Sequence, residues 1–207
     1  MYRRLEAFDR ELVATAGAPL AGIDEAGRGA LAGPVVAAAV ILPPGSRLLG
    51  VNDSKALRED EREGLFLEIV RTARAVGIAF SQPVTIDRNN ILNATLMTMA
   101  RAYHNLHTQA AVVLLDGRDH IDIPGRVVSV VGGDGKSLSI AAASVVAKVA
   151  RDRVMRRLHK RHPAYNFIVN KGYGTREHLD AIRRHGMTPL HRRSYRVNAV
   201  EKMPSLF

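Results

Sequence analysis

Five short apolar runs, rich in Val, Ile, Leu and Ala, recur along the chain. Runs of this length are typical of buried β-strands, because β-branched side chains suit the pleated backbone and Gly or Pro interrupts it. The second run is delimited on both sides by Pro-containing turns. The predicted strands are Leu20–Asp24, Val35–Leu42, Ala75–Ser81, Val112–Asp116 and Arg126–Val131.

Between these runs, apolar residues recur every three or four positions, which is the spacing of one face of an α-helix. Thr85 and Thr175 are suitable N-cap residues, and Gly186 is a suitable stop, because Thr accepts hydrogen bonds from free amides and Gly adopts the backbone that ends helices. The predicted helices are Glu59–Arg74, a helix running from Thr85 through Tyr103, Ser139–Arg161 and Thr175–His185.

The order of these elements predicts the fold class. The first two strands are close enough along the chain to form a hairpin, and the later strands can be parallel through helical crossovers. We therefore expect an α/β protein with a mixed sheet flanked by helices, and a basic helical region at the C-terminus.

Composition narrows the picture. The chain has 207 residues with no cysteine and no tryptophan. The length suits one domain with an appendage, and the absence of cysteine excludes disulfides and thiolate-bound zinc or iron–sulfur sites. The N-terminus lacks the apolar core of a secretion signal, and no apolar run is long enough to span a bilayer. We therefore expect a cytoplasmic protein that does not bind membranes.

The charge is strongly positive and unevenly distributed. The formal net charge is +10, and residues 151–196 contain thirteen Lys or Arg against three acids. A solvated basic face is one explanation for such a stretch. Nucleic acid is the favoured partner, because a basic region attracts a polyanion.

Acidic residues stand at the ends of three predicted strands. Asp24-Glu25 ends the first, Asp116 ends the fourth and Asp134 follows the fifth. If these strands are neighbours with the same direction, their acids meet at one edge of the sheet, where open α/β sheets bind ligands. Alternatively, an Asp before Gly merely opens a turn. Neighbouring strand residues point to opposite faces, so Glu25 joins Asp24 only if the strand is already ending there.

Carboxylates held close together repel one another, and a divalent cation removes that cost. An all-oxygen ligand set favours a hard ion, Mg²⁺ or Mn²⁺. Two such ions about 4 Å apart are a recurrent device for phosphodiester cleavage, one activating water and the other stabilising the leaving oxygen. The pattern therefore indicates a nuclease or polymerase.

Two glycine-rich segments imitate nucleotide-binding motifs. Gly27–Ala32 fits a dinucleotide fingerprint, but a β-branched run follows it where that motif needs a helix. Gly132–Ser137 resembles a P-loop, but Val130 stands where the first glycine is required. Neither a dinucleotide site nor an ATPase is favoured.

Several motifs, in order from about residue 20 to 196, together resemble the signature of ribonuclease HII. They are Ile23-Asp24-Glu25-Ala26-Gly27-Arg28-Gly29, Asn52-Asp53-Ser54-Lys55-Ala56-Leu57, Ile86-Asp87 with Asn90-Ile91, Leu115-Asp116-Gly117, Ser139–Ser144 with Ala147–Asp152, Lys171–Thr175 and His191–Tyr195. The resemblance implies a ribonuclease H-like fold with a five-stranded mixed sheet and a C-terminal helical extension. It divides the chain into an N-terminal segment (1–19), a catalytic domain (20–160) and a basic extension with a tail (161–207).

The resemblance also implies an activity, which is hydrolysis 5′ to a ribonucleotide in RNA–DNA hybrids or in duplex DNA, leaving a 3′-hydroxyl and a 5′-phosphate. Two ions, Mg²⁺ or Mn²⁺, are implied with substrate. The implied metal-site and catalytic residues are Asp24, Glu25, Asp116 and Asp134.

Further residues are implied to contact the substrate. The backbone of Gly27, Arg28 and Gly29 matches the loop that contacts the ribose 2′-hydroxyl, the group that distinguishes RNA from DNA. Tyr173 matches a tyrosine that packs on the next deoxyribose, where a 2′-hydroxyl would clash. Candidate phosphate contacts are Lys55 and Lys148, although both could simply be solvated.

Other assignments are less specific. Arg192 is a candidate anchor to the acidic edge or to DNA. Gly132 stands where the family usually has lysine, and Lys136 could replace it from the other side. Leu206-Phe207 resembles peptides that dock on sliding clamps, although a packed or frayed tail is the favoured explanation.

Two rival functions are considered. One is ribonuclease HIII, which has a further N-terminal domain, and the other is a nucleic-acid-binding protein that has lost catalysis. We expect a monomer.

Overall fold

The computed structural model describes residues 2–51 and 58–195, which form a five-stranded sheet with helices on both faces. The strands are β1 (Leu20–Ala26), β2 (Val35–Ile41), β3 (Ala75–Ser81), β4 (Val112–Asp116) and β5 (Arg126–Val130). The helices are α1 (Tyr2–Ala16), α2 (Glu59–Thr72), α3 (Pro83–His104), α4 (Leu138–Arg161), α5 (Phe167–Asn170) and α6 (Arg176–His185). The predicted fold class is confirmed.

The sheet is mixed, with the strand order β3-β2-β1-β4-β5. The hairpin prediction is confirmed, because β1 and β2 are antiparallel, and β3 is antiparallel to β2. β4 lies parallel to β1 and to β5. The prediction that the later strands are parallel through helical crossovers is wrong for β3, which is antiparallel to its partner. It is also wrong for the link between β4 and β5, where residues 117–125 form an irregular connection.

The central strand β2 shows why the apolar runs are continuous. Ala38 and Val40 face the layer made by α2 and α4, while Ala37 and Ala39 face the layer made by α3. Every residue of β2 is buried. A strand covered on both faces needs apolar side chains at every position, rather than an alternating pattern.

Close approach of α4 to the sheet depends on a glycine in β1. A Cβ on Gly22 would lie 2.2 Å from the carbonyl carbon of Ser139. No side chain fits in that space, so glycine allows α4 to pack directly against the β1 backbone.

The helix boundaries agree with the predictions, with one correction. Thr175 caps α6 by accepting a hydrogen bond from the amide of His178, and Gly186 follows the helix. The prediction that Thr85 caps α3 is wrong, because α3 begins at Pro83, whose fixed φ and missing N–H suit a first helical position. The φ of Asn90 is +59°, which marks a kink inside α3.

The N-terminal segment is a helix that the sequence reading did not anticipate. Leu5 of α1 is buried, and Phe8 and Leu12 pack near the start of α4. The carboxylate of Asp9 accepts hydrogen bonds from the amide and hydroxyl of Ser139, at 2.9 and 2.8 Å. α1 therefore caps α4 from a position 130 residues earlier in the chain.

The C-terminal region packs on the end of α4 and on the segment after β1. Its apolar cluster contains Ala32, Met155, Tyr165, Phe167, Ala181 and Ile182. The proposed boundary at residue 160 lies one residue before α4 ends, and the division into three segments stays a prediction. None of the described helices combines the length and the apolar character needed to cross a membrane.

Candidate active site

Three of the four predicted acids line one cleft at the carboxyl ends of β1 and β4. Asp24 and Glu25 lie on β1, and Asp116 is the last residue of β4. The cleft has a volume of about 440 Å³. The parallel pairing of β1 with β4 brings these acids to the same edge of the sheet, as the sequence predicted.

Glu25 joins this cleft for a reason other than the expected one. The prediction that the strand stops at Asp24 is wrong, because β1 continues to Ala26 and pairs with β2 through Glu25. However, β1 pairs with β4 only as far as Ile23. Beyond that residue the β4 side of β1 is open, and the cleft reaches both Asp24 and Glu25.

Burial, together with repulsion between the carboxylates, raises the proton affinity of Asp24 and Glu25. Burial, followed by the charges of Glu25 and Asp116, raises the pKa of the Asp24 carboxyl well above its usual range. Burial also raises the pKa of Glu25, although the guanidinium of Arg28, whose Nη1 lies 3.8 Å from Oε1, acts in the opposite direction. The acids therefore interact strongly, and a cation among them would remove both the repulsion and the cost of burial.

The donor set fits a hard divalent cation, since it consists of carboxylate oxygens. Among residues 2–51 and 58–195, no three acidic or histidine side chains stand close enough to hold an ion as they are placed. The cleft thus brings carboxylates of the suitable kind to one place.

Asp134 stands apart from the cleft lining. It lies in the short 3₁₀ turn Gly133–Gly135 after β5 and is half-buried. The amide of the preceding residue, Gly133, donates a 2.6 Å hydrogen bond to Oδ1 of Asp116. The turn that carries Asp134 is therefore tied to one of the cleft acids, while Asp134 itself is absent from the residues that line the cleft.

The loop after β1 forms one wall of the cleft, and its shape depends on Gly27. Gly27 has a φ of +90°, which L side chains rarely adopt, and a Cβ there would lie 1.9 Å from Nε of Arg151. Gly27, Arg28 and Gly29 all line the cleft. Their position agrees with the predicted contact to a substrate.

Two buried arginines hold this loop from behind. Arg192 donates to the carbonyls of Gly27 at 2.7 Å, Arg28 at 2.8 Å and Gly33 at 3.0 Å. Arg151 donates to the carbonyl of Pro34 at 3.0 Å. Two roles are predicted for Arg192, an anchor to the acidic edge or a contact to DNA. The contact to DNA is wrong, because the side chain is fully buried and its donors are used by the protein itself. The bonds to the loop beside the acids agree with the anchor.

Tyr173 and Lys148 lie on other parts of the cleft wall. The ring of Tyr173 is 38% exposed and lies 5.2 Å from the guanidinium of Arg151. Lys148 donates to Oδ1 of Asp152 at 2.7 Å. Lys55 lies outside the described residues.

The sequence reading missed two cleft residues, Arg62 and Ser144. Nη1 of Arg62 lies 3.8 Å from Oδ2 of Asp152, the carboxylate that also holds Lys148. Ser144 hydrogen-bonds to Asp24, which partly offsets the rise in the pKa of that carboxyl. A signal existed for Ser144, since Ser144 and Lys148 are four residues apart and share one face of a predicted helix. Arg62 has no comparable signal, because it reaches the cleft through the packing of α2 on α4.

Comparison with known proteins now decides the family. The family model described as Ribonuclease HII matches residues 21–198, which include every cleft residue. The chain belongs to the ribonuclease HII family. The chain is therefore a nuclease and hydrolase of the ribonuclease H type.

Relatives agree with this assignment. The chain is 46% identical over 197 residues to the ribonuclease HII of Syntrophus aciditrophicus, covering 95% of this chain and 93% of the relative. It is 51% identical over 178 residues to that of Desulfitobacterium hafniense, covering 85% and 68%. A solved structure of the PCNA:RNase HII complex from Archaeoglobus fulgidus is 28% identical, with a TM-score of 0.74, covering 86% of this chain and 95% of that one.

The departure from the usual ribonuclease HII pattern at Gly132 has a backbone explanation. Gly132 has φ +62° and ψ +42°, the left-handed conformation that glycine adopts without steric cost. Nζ of Lys136 donates to the carbonyl of Val131 at 2.7 Å. The replacement of the usual lysine by Lys136 therefore receives no support.

Proposed function

We propose that this ribonuclease HII chain is a metal-dependent endonuclease that hydrolyses the RNA strand of RNA–DNA hybrids. It would also cut 5′ of ribonucleotides embedded in duplex DNA, leaving a 3′-hydroxyl and a 5′-phosphate. The observation that carries the proposal is the single cleft shared by Asp24, Glu25, Asp116, the loop Gly27–Gly29 and Tyr173. This cleft combines acids suited to phosphodiester cleavage with a loop and a ring able to select the nucleotide.

Asp24, Glu25 and Asp116 would hold two Mg²⁺ or Mn²⁺ ions, with Asp134 joining them from its adjoining turn. When bound, the ions would supply an activated water and stabilise the leaving oxygen. Ser144 and the amide of Gly133 orient Asp24 and Asp116 through hydrogen bonds. The high proton affinity of Asp24 and Glu25 is relieved when positive charge enters the cleft.

Recognition of the ribonucleotide would come from the loop after β1. Gly29 is exposed with open space around it, so that backbone polar groups there can approach a 2′-hydroxyl, whereas Gly27 is buried and makes room for Arg151 behind the loop. The two buried arginines keep the loop fixed before substrate arrives, because each holds its carbonyls in place. Tyr173 would pack on the following deoxyribose and disfavour a ribose there.

The basic residues would hold the nucleic-acid backbone. Lys148 and Arg62 line the same cleft as the acids and share the carboxylate of Asp152. Each neutralised phosphate releases condensed counterions, so binding should weaken steeply with salt. Lys55 remains a proposed phosphate contact outside the described residues.

The experiment is a gel assay on a DNA duplex with one internal ribonucleotide, with Mg²⁺, Mn²⁺ or EDTA. Wild type should nick 5′ of the ribonucleotide only when metal is present. Asp116→Asn should abolish cutting yet keep binding, while Asp122→Asn, an exposed and isosteric change after the same strand, should behave as wild type. If wild type binds but never cuts under any metal condition, the non-catalytic binder is the better account.

The similar structure from Archaeoglobus fulgidus is a complex with PCNA, a sliding clamp. We propose a weak clamp contact for Leu206-Phe207, which lie outside the described residues. Deleting residues 203–207 should weaken clamp binding without altering cleavage, and unchanged binding would exclude this contact.

A further inference from the structure

His178 and His191 form a buried pair that the proposed chemistry does not use. Their side chains are 0% and 1% exposed, and their Nε2 atoms lie 3.2 Å apart. His178 lies in the first turn of α6, and His191 directly precedes Arg192. The pair therefore stands between two parts of the substrate cleft, the segment of Tyr173 and the loop held by Arg192.

The partners of the outer nitrogens determine where the protons are. Nδ1 of His178 lies 2.9 Å from the carbonyl oxygen of Tyr173, which can only accept, so this nitrogen carries a proton. Nδ1 of His191 lies 3.0 Å from both the amide and the hydroxyl of Thr188. The amide can only donate and the hydroxyl can turn to donate as well, so we assign no proton to this nitrogen. In neutral rings, Nε2 of His191 must then donate to Nε2 of His178.

The result is one directed chain of hydrogen bonds. It runs from the Thr188 amide through His191 and His178 to the carbonyl of Tyr173. An additional proton on Nδ1 of His191, or on Nε2 of His178, would place two hydrogens against each other and break the chain. Each ring thus has a single compatible tautomer.

The surroundings keep both rings neutral. Burial, followed by the charges of His178 and His162, lowers the pKa of His191 to about 4. Burial also lowers the pKa of His178. The rings pack on Tyr165 and Phe167. The other titratable groups facing this cluster are His162, which follows α4, and His185 from α6, with Arg192 next to His191 in sequence.

The two ends of this series of hydrogen bonds are attached to different walls of the cleft. At one end, Tyr173 places its ring in the cleft. At the other, His191 forms a β-bridge with Ala32, and the amide of Arg192 donates to the carbonyl of Leu31 at 2.8 Å. Arg192 then holds the carbonyls of the glycine loop. The two walls are also joined directly, because the amides of Leu31 and Ala32 donate to the carbonyl of Gly172 at 2.8 and 3.1 Å. The histidine pair is thus a second connection between the element that would read the 2′-hydroxyl and the element that would read the next sugar.

We propose that His178 and His191 are positioning residues that set the spacing between Tyr173 and the loop Gly27–Gly29, and thereby the choice of the ribonucleotide–deoxyribonucleotide junction. This inference rests on the proposed function. Neither histidine touches the substrate, since both are buried. Their effect is on where the enzyme cuts rather than on the hydrolysis itself.

The proton arrangement is tested on the unaltered protein by ¹⁵N NMR of histidine-labelled enzyme near pH 7. His178 should show the less common tautomer with the proton on Nδ1, and His191 the tautomer with the proton on Nε2. The ring of His191 should not titrate between pH 8 and about 5, and the ring of His178 should be neutral at pH 7. If His178 carries its proton on Nε2, or if either ring is charged at pH 7, the directed chain does not exist.

The functional test measures the position of cutting. The substrate is duplex DNA with four consecutive ribonucleotides in one strand, so that one phosphate precedes the last ribonucleotide and others precede the earlier ones. In His191→Phe and His178→Phe, which keep an aromatic ring but lose the hydrogen bonds, junction cutting relative to neighbouring cuts should fall by roughly tenfold, because misplacement by about 1 Å can cost about 100-fold in rate. His185→Phe is the matched control. His185 also contacts the ring of Tyr165, edge-on, but it is exposed and takes no part in the series of hydrogen bonds.

The outcomes separate the two proposals. A partly unfolded variant yields less product with an unchanged pattern, so a shifted pattern reports positioning rather than folding. Wild type with no junction preference would overturn the proposed recognition, and the positioning role with it. Wild type with a preference that both Phe variants retain would overturn the positioning role alone.

Discussion

Arg192 provides the sharpest test of how the substrate loop is held. Arg192→Met removes the guanidinium but keeps an unbranched side chain of similar length. Three backbone carbonyls, those of Gly27, Arg28 and Gly33, lose a charged donor. Gly27 keeps a bond from the amide of Ala30, and Arg28 keeps one from the hydroxyl of Tyr195, whereas Gly33 loses both of its side-chain donors.

The expected loss of stability in Arg192→Met follows from these lost hydrogen bonds. Hydrogen bonds to charged groups contribute about 1.5–3 kcal/mol each, and a buried group left unpaired costs about 1–3 kcal/mol. Removing a buried charge recovers part of this, because its desolvation cost also disappears. We expect a net loss of about 3 kcal/mol, which for a domain of this size lowers Tm by roughly 6–12 °C.

The assay is thermal and urea unfolding followed by circular dichroism, together with kcat/KM on the single-ribonucleotide duplex. Arg193→Met is the control, because Arg193 is exposed and its hydrogen bond to Asp87 comes from the backbone amide. Arg192→Lys should lie between wild type and Met, since one ammonium cannot reach three carbonyls. A fall in Tm of less than about 2 °C for Arg192→Met would refute the reasoning.

Three further predictions follow from the same structure. Gly27→Ala should lower stability by about 1–3 kcal/mol in urea unfolding, because its Cβ would overlap a buried arginine, whereas Gly64→Ala, with open space around it, should not. The free energy of unfolding should fall by up to about 3 kcal/mol as pH drops from 6.5 towards about 4, because folding lowers the pKa of His191. In His191→Phe the free energy of unfolding should depend less on pH over this range. Glu63→Gln should lose about 1 kcal/mol of stability, less in 1 M NaCl, because Glu63 accepts from two arginines on α4, and Glu68→Gln, an exposed change on the same helix, should lose nothing.

The positions of the strands could be predicted closely because the inner strands have apolar surroundings on both faces. β2 and β4 are covered on both faces, so their apolar runs coincide with the strands themselves. β1 was placed two residues too short, since Glu25 and Ala26 continue its pairing with β2 beyond the last buried apolar position. A charged residue near a strand end does not show where the strand stops, because a strand continues as long as its backbone pairs with a neighbouring strand.

The sequence of α1 contains the apolar spacing of a helix, although the predicted elements do not include it. Leu5, Phe8, Leu12, Val13 and Ala16 follow helical spacing, and all of them pack inward. The charged residues between them gave the segment a polar character. Periodicity, rather than average composition, would have identified α1.

The residues of the candidate site could be predicted only where a local sequence pattern, such as an acid at a strand end, marks them. The acids stand at strand ends, and strand order alone brings Asp24 and Asp116 together. The part played by Arg192 could not be inferred, because a basic residue near the C-terminus gives no indication that it is fully buried. Burial and the direction of a side chain depend on packing between distant segments, which one sequence does not encode in any local pattern.

The contact between Asp9 and Ser139 has a consequence for synthesis on the ribosome. Ser137 caps α4 locally, but the carboxylate that accepts from the amide of Ser139 lies 130 positions earlier in the sequence. At elongation rates of about 5–20 residues per second, Asp9 is made on the order of ten seconds before Ser139. During that interval the apolar side chains of the α1 segment are uncovered, because β4 and α4, on which they pack, do not yet exist.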